Sequence, residues 1–148
     1  LNSSKQLIDT YGTFALLYNW FPQEAQEIRR ITDRPRSEFF AIRHSFLREV
    51  LGQRWYAYEQ TLVILLQGAS SKVRLGTLPL GDISDLPQGL DTLASAVQQV
   101  ERTERVLKSV WREQNQQRPD WVERYRTLDA ESAQILRAAV DIVKNLLR

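Results

Sequence analysis

Apolar residues recur along this chain at alternating steps of four and three, the spacing that lines one face of an α-helix. In the first stretch they are Leu7, Tyr11, Phe14, Tyr18 and Phe21, which predicts a helix from about Lys5. Pro22 followed by Gln-Glu-Ala-Gln-Glu suits the first turn of a second, short helix to about Ile31, so the chain is expected to bend at Pro22. Asp33-Arg34-Pro35-Arg36-Ser37 reads as a turn, because the residue before a proline is pushed away from helical geometry and Ser37 can cap the next helix. From there Phe40, His44, Leu47, Leu51, Trp55, Tyr58, Leu62 and Leu65 form one stripe, with Phe39, Ile42, Phe46, Val50 and Ile64 beside it. The expectation is one long helix, central and buried.

The helical period stops between Gly68 and Gly89, where three glycines and two prolines accompany leucines in Leu75-Gly76-Thr77-Leu78-Pro79-Leu80-Gly81 and Leu86-Pro87-Gln88-Gly89. This is the one long central loop, with room for at most a short hairpin. Leu90, Leu93, Val97, Val100, Glu104, Leu107 and Trp111 then make a heptad-like seam in which Glu104 is the single charged interruption. After Arg118-Pro119-Asp120 the same spacing returns in Trp121, Tyr125, Leu128, Ser132, Ile135, Ala139, Ile142 and Leu146. The resulting fold class is all-α: a four- to five-helix bundle, its last two helices antiparallel through a short turn, over a single domain at 1–148. No internal repeat is visible.

Composition supports a folded domain, with 43% hydrophobic and 26% charged residues in 148. The absence of cysteine removes disulfides, thiolate nucleophiles and cysteine-based zinc sites, and points to a reducing, cytoplasmic compartment. The longest apolar run, Leu62 to Leu66, is far short of a membrane span, and no apolar signal core comes after the first residues. Methionine is absent even from position 1, so residues upstream of Leu1 are expected in the native protein.

Catalytic chemistry finds little to work with. His44 is the lone histidine, and its place between Phe40 and Leu47 favours a hydrogen-bonded core or boundary role. The Arg-polar-His pattern of the HEPN ribonucleases fails, because seven residues separate Arg36 from His44 and nine separate Arg34 from it. Asp82 with Asp85, and Asp120 with Glu123, could hold a divalent cation, but each pair also suits the capping of a helix start. Gly76 and Gly81 lack the Gly-Lys-Ser/Thr of a phosphate loop. Neither an enzyme active site nor a metal or cofactor is therefore expected.

What remains is arginine. The net charge is only +2, yet the basic residues are 16 Arg against 4 Lys, and arginine suits forked contacts to phosphates or carboxylates and stacking on flat rings. Between Ile28 and Tyr56 seven Arg face three acids, and Arg29, Arg30, Arg34 and Arg36 flank the turn at Pro35. Further on, Arg102, Arg105, Lys108 and Arg112 fall within about 120° of one helix face at 100° per residue. These eight residues are the candidate nucleic-acid-binding set, tracking a phosphate backbone with aromatic residues near by. The competing assignment is surface ion pairing, for example Arg105 with Glu101 and Arg124 with Asp120. Trp20, Trp55, Trp111 and Trp121 fall on or beside the apolar seams, as core packing or as anchors for a partner.

A cysteine-free helical bundle of this size, with the basic segments Arg29 to Arg36 and Arg102 to Arg112, resembles the small helical subunit of type I and type III CRISPR effector complexes. In several type I systems that subunit corresponds to the C-terminal helical domain of the large subunit, made from an internal start site. The resemblance covers the whole chain at the level of architecture. It implies a non-catalytic antiviral-defence subunit, present in more than one copy, that packs on other protein subunits of a ribonucleoprotein. Its basic surfaces would steady single-stranded DNA or a guide–target duplex. The alternative is a helical protein-protein adaptor or assembly factor without nucleic-acid binding.

Overall fold

The computed structural model describes residues 9–33, 35, 40–53, 59–79 and 93–146. Every regular element among them is helical: a π-helical segment, Asp9–Thr13, runs into α1 (Phe14–Trp20), followed by α2 (Pro22–Ile31), α3 (His44–Leu51), α4 (Gln60–Ser70), α5 (Leu93–Asn115) and α6 (Trp121–Leu146). No helix among the described residues is long and apolar enough to cross a membrane.

The bend expected at Pro22 is present. Phe21 leaves helical geometry (φ −138°, ψ 66°), its N–H still donating to the Leu17 carbonyl, and Pro22 takes the first position of α2, where a missing N–H costs nothing. The buried face of α1 is the expected one only in part: Phe14 and Phe21 are buried, but the two tyrosines of the stripe are not. Leu16, Leu17 and Trp20 are enclosed, whereas Tyr18 and, in the π-helical segment, Tyr11 stand 41% and 50% exposed. Aliphatic and indole surface gains more from burial than a phenol ring that keeps its hydroxyl in water, so the helix turns its leucines inward.

The single long helix expected after Ser37 is replaced by two. Residues 40–43 are not helical, α3 starts at His44, and it ends at Leu51 before Gly52, a poor helix former, with the Gln53 N–H donating to the Val50 carbonyl. Phe46 and Val50 of α3 share one buried cluster with Val63 and Ile64 of α4 and Val106 of α5. On a continuous helix residues 46 and 63 would lie about 25 Å apart along the axis, so the break is what lets this apolar surface close on itself. The buried stripe is accordingly Phe46 and Val50. Phe40 and Leu51 are exposed, and His44, far from a core position, is an exposed first residue of α3. Ser37, Phe39, Trp55 and Tyr58 lie outside the described residues, as do residues 80–92 of the expected central loop.

Helix α4 is enclosed nearly all round, through Leu62, Val63, Ile64, Leu66 and Gly68. Its end is sealed by Lys72, in the left-handed region at φ 54°, with the Val73 N–H donating to the Gly68 carbonyl and the Lys72 N–H to that of Ala69. A Cβ at Gly68 would meet the end of the Leu75 side chain at 2.7 Å, so the segment after α4 returns closely over it and a larger residue there would push that leucine aside.

The last two helices pair as the seams predict. Trp111 meets Tyr125, Lys108 meets Asp129 and Glu104 meets Ser132, pairs whose numbers sum to nearly the same value, the signature of an antiparallel hairpin. Helix α1 lies across it. Phe14, Leu17, Trp20 and Phe21 pack with Ala25 and Ile28 of α2, Leu62 and Leu66 of α4, Val100, Leu107 and Trp111 of α5 and Ala139 of α6. Just before α1, a Cβ on Gly12 would come within 3.3 Å of Val100, which sets how closely the backbone can approach α5.

One polar chain runs through this apolar interface. The Trp20 indole N–H donates to the Ser132 hydroxyl (2.9 Å), and the fully buried Ser132 donates in turn to the Glu104 carboxylate (3.0 Å). Near by, the Asn19 amide donates to the Leu128 carbonyl at 3.0 Å. Ser132→Ala should therefore destabilise the fold by about 1–3 kcal/mol, since it strands the indole N–H. A denaturation double-mutant cycle with Trp20→Phe should return a coupling of at least about 0.5 kcal/mol, and strict additivity would show that the bond contributes nothing.

Candidate nucleic-acid interface

The structure places six of the eight candidate residues, in three different situations. Arg29 and Arg30 occupy the exposed last turn of α2, where cations also offset the negative end of the helix. The Arg29 guanidinium lies 4.8 Å from the centre of the Phe14 ring, a cation–π contact that holds the plane against α1. Arg30 is ion-paired one turn back with Glu27, and both are well exposed. Arg34 and Arg36, the other half of this corner, lie outside the described residues.

On α5, Arg105 and Arg112 are exposed and form no ion pair with any described residue. The pairs offered as the ionic alternative, Arg105 with Glu101 and Arg124 with Asp120, do not form. Arg102 also projects outward but approaches the Glu59 carboxylate at 4.0 Å. The three arginines span about 80° of the α5 surface, opposite the face that carries Val100, Leu107 and Trp111. Glu101 and Glu113 share that surface and temper its charge.

Lys108 departs from the set. Its side chain is 28% exposed, and its ammonium sits 3.1 Å from Asp129 and 3.4 Å from Glu104, extending the chain that begins at Trp20. Burial pulls its pKa down, but the hydrogen bond with Asp129 and the charges of Glu104 and Asp129 outweigh that and raise it above the ordinary lysine value. An ammonium committed to two carboxylates has little left for a phosphate. The 100° rule placed Lys108 at the rim of the basic face, and the facing helix captured it.

Two exposed aromatic residues were hidden by the sequence pattern. Tyr18 lies beside Phe14, ring centres 6.5 Å apart and planes tilted by 40°, and the same Phe14 ring carries the Arg29 guanidinium. The competing spacing Thr13, Leu16, Leu17, Trp20 was available in the sequence and would have put both Tyr11 and Tyr18 at the edge of the buried face. Trp20, Trp111, Trp121 and Tyr125, by contrast, interlock by ring-to-ring contacts of 5.5–6.3 Å at the hairpin end and belong to the core or its margin. Trp55 lies outside the described residues.

Of the acidic pairs, Asp120 and Glu123 are exposed around the start of α6, and Asp82 and Asp85 lie outside the described residues. No group of three or more potential metal-ligating side chains occurs among the described residues. A depression lined by Gln53, Val63, Leu66, Gln67, Val110 and Gln114 has room for about one water molecule. Comparison with protein families, with curated proteins and with solved structures finds no match for this chain.

The raised pKa of Lys108 fixes the sign of a pH effect. Stability contributed by this group is fully present below the unfolded value of 10.5 and is lost as pH rises through the higher folded value. The thermal midpoint should thus fall more steeply at alkaline pH in the native chain than in Lys108→Met. Parallel curves would remove Lys108 from the network.

Proposed function

We propose that this domain is a non-catalytic nucleic-acid-binding helical subunit of a ribonucleoprotein assembly, contacting phosphate backbones through its arginine-bearing helix faces. The observation that carries this reading is the pair Arg105 and Arg112, exposed on α5 with no described carboxylate paired to either. Guanidinium groups that no described carboxylate engages suit an external anion. Arg29 and Arg30 at the end of α2, and Arg34 and Arg36 after them in sequence, form a second basic segment; Arg102 borders the first. The likeness to the small subunit of CRISPR effector complexes adds an assembly in which neighbouring protein subunits hold the domain against a strand and raise its effective concentration.

A second reading, the protein adaptor, draws on Phe40 and Leu51, large apolar residues exposed near the two ends of α3. Such residues can anchor a partner helix.

A titration with labelled duplex and single-stranded nucleic acid at several salt concentrations separates the two. With about four phosphate contacts, log affinity against log salt should have a slope near −3.6 for duplex and near −2.8 for a single strand. Arg105→Gln and Arg112→Gln should each flatten the slope by about one unit at most, while Lys108→Met should leave it unchanged. Slopes indifferent to both arginines would remove the phosphate reading, and salt-insensitive capture of a protein through Phe40 and Leu51 would put the adaptor in its place.

A further inference from the structure

The proposed phosphate contacts leave unused the most distinctive surface feature of α1. Tyr11 and Tyr18 are 50% and 41% exposed on a segment whose neighbours Phe14, Leu16 and Leu17 are buried. Neither phenol hydroxyl makes a hydrogen bond with any described residue, so burial of a polar tip does not explain their placement. Beside Tyr18, Phe14, only 3% exposed, is a fixed backing that contacts both the Tyr18 ring and the Arg29 guanidinium. A guanidinium engaged with a ring through its positive charge still has its N–H donors to offer an outside acceptor. Tyr18 itself is tilted 40° from Phe14 at 6.5 Å and keeps open surface towards solvent.

Resting on the nucleic-acid reading above, we infer that Tyr18, backed by Phe14 and flanked by Arg29, is a stacking platform for an unpaired base, so that the domain selects single strands over duplex. Flat ring surface beside a fixed cation matches the two features of an unpaired nucleotide: a π-face to stack and a phosphate one backbone step away. Within a duplex both faces of each base are already covered by its neighbours, and only the phosphates remain for Arg29. Stacking accepts any base, so the preference is for strandedness and not for sequence. Tyr11 stands at the same edge of the helical segment, seven residues before Tyr18, and offers a second ring further along the strand.

The test compares three labelled ligands of equal length at low salt: an oligothymidylate, a duplex, and an abasic strand that keeps the sugar-phosphate backbone without bases. The chain should bind the oligothymidylate about 5- to 100-fold more tightly than the abasic strand. Tyr18→Ala should reduce the oligothymidylate to near the abasic level without altering the salt slope, because a ring carries no charge. Tyr18→Phe should retain the preference, and Arg29→Gln should flatten the slope instead. Helical circular dichroism of each variant checks the fold, and the abasic comparison needs no substitution at all. Equal binding of abasic strand and oligothymidylate by the native chain would overturn the platform and leave phosphate binding standing. Binding of none of the three ligands would overturn the phosphate reading, and the platform with it.

Discussion

Pressing α1 into the hairpin of α5 and α6 buries the indole of Trp20, and an indole N–H taken out of water must find an acceptor. Ser132 supplies it, Glu104 accepts from Ser132, and Lys108 and Asp129 close the chain at the solvent edge. An apolar seam tolerates small slips between helices, since leucine packs acceptably against several neighbours. A hydrogen-bonded chain does not, because a shift of one turn would leave a carboxylate and an indole N–H unsatisfied together. The register of the hairpin, and the seat of α1 upon it, thus rest on four polar side chains and one tryptophan more than on the area around them.

That constraint reaches the surface. With α1 seated by Trp20, its leucines face α5 and α2, Phe14 comes to lie under Arg29, and Tyr18 is left at the edge facing solvent. With α5 seated by Glu104, Val106 turns towards Phe46 and Val63 of the second cluster, and Arg102, Arg105 and Arg112 turn away from both cores. The proposed stacking platform and the basic α5 face are consequences of the same interior. Both stand on helices whose orientation is fixed by buried groups, the condition under which an exposed side chain can act without first being ordered.

Arginine number alone was a poor guide to which cations face outward. Arg30 and its partner Glu27 are both well exposed, where such a pair exchanges readily with other anions and contributes little; Arg102 is itself more than half exposed at the edge of a largely covered Glu59. Lys108 is held by two carboxylates in a partly buried position, where separating them would leave charges poorly solvated. The difference lies in solvent access, not in charge.

Order along the chain was enough to dictate the helical class, the bend at Pro22, and both seams of the hairpin from Val100 to Trp111 and from Tyr125 to Ala139. These are local properties: proline geometry and a repeating period act on neighbours in the chain. Glu104 and Ser132 were visible as polar interruptions of those seams, but their pairing was not, because it joins residues 28 apart. Packing between helices set the rest. It broke the long stripe from Phe40 to Leu65 into α3 and α4, since Phe46 and Val50 can meet Val63 and Ile64 only if the helix is interrupted between them. It turned Tyr11 and Tyr18 outward because Leu16, Leu17 and Trp20 competed for the same interior, left His44 exposed, and drew Lys108 from the basic face to Asp129. Each of these outcomes depends on which surface a helix meets, and a period along one chain segment carries no information about its partner.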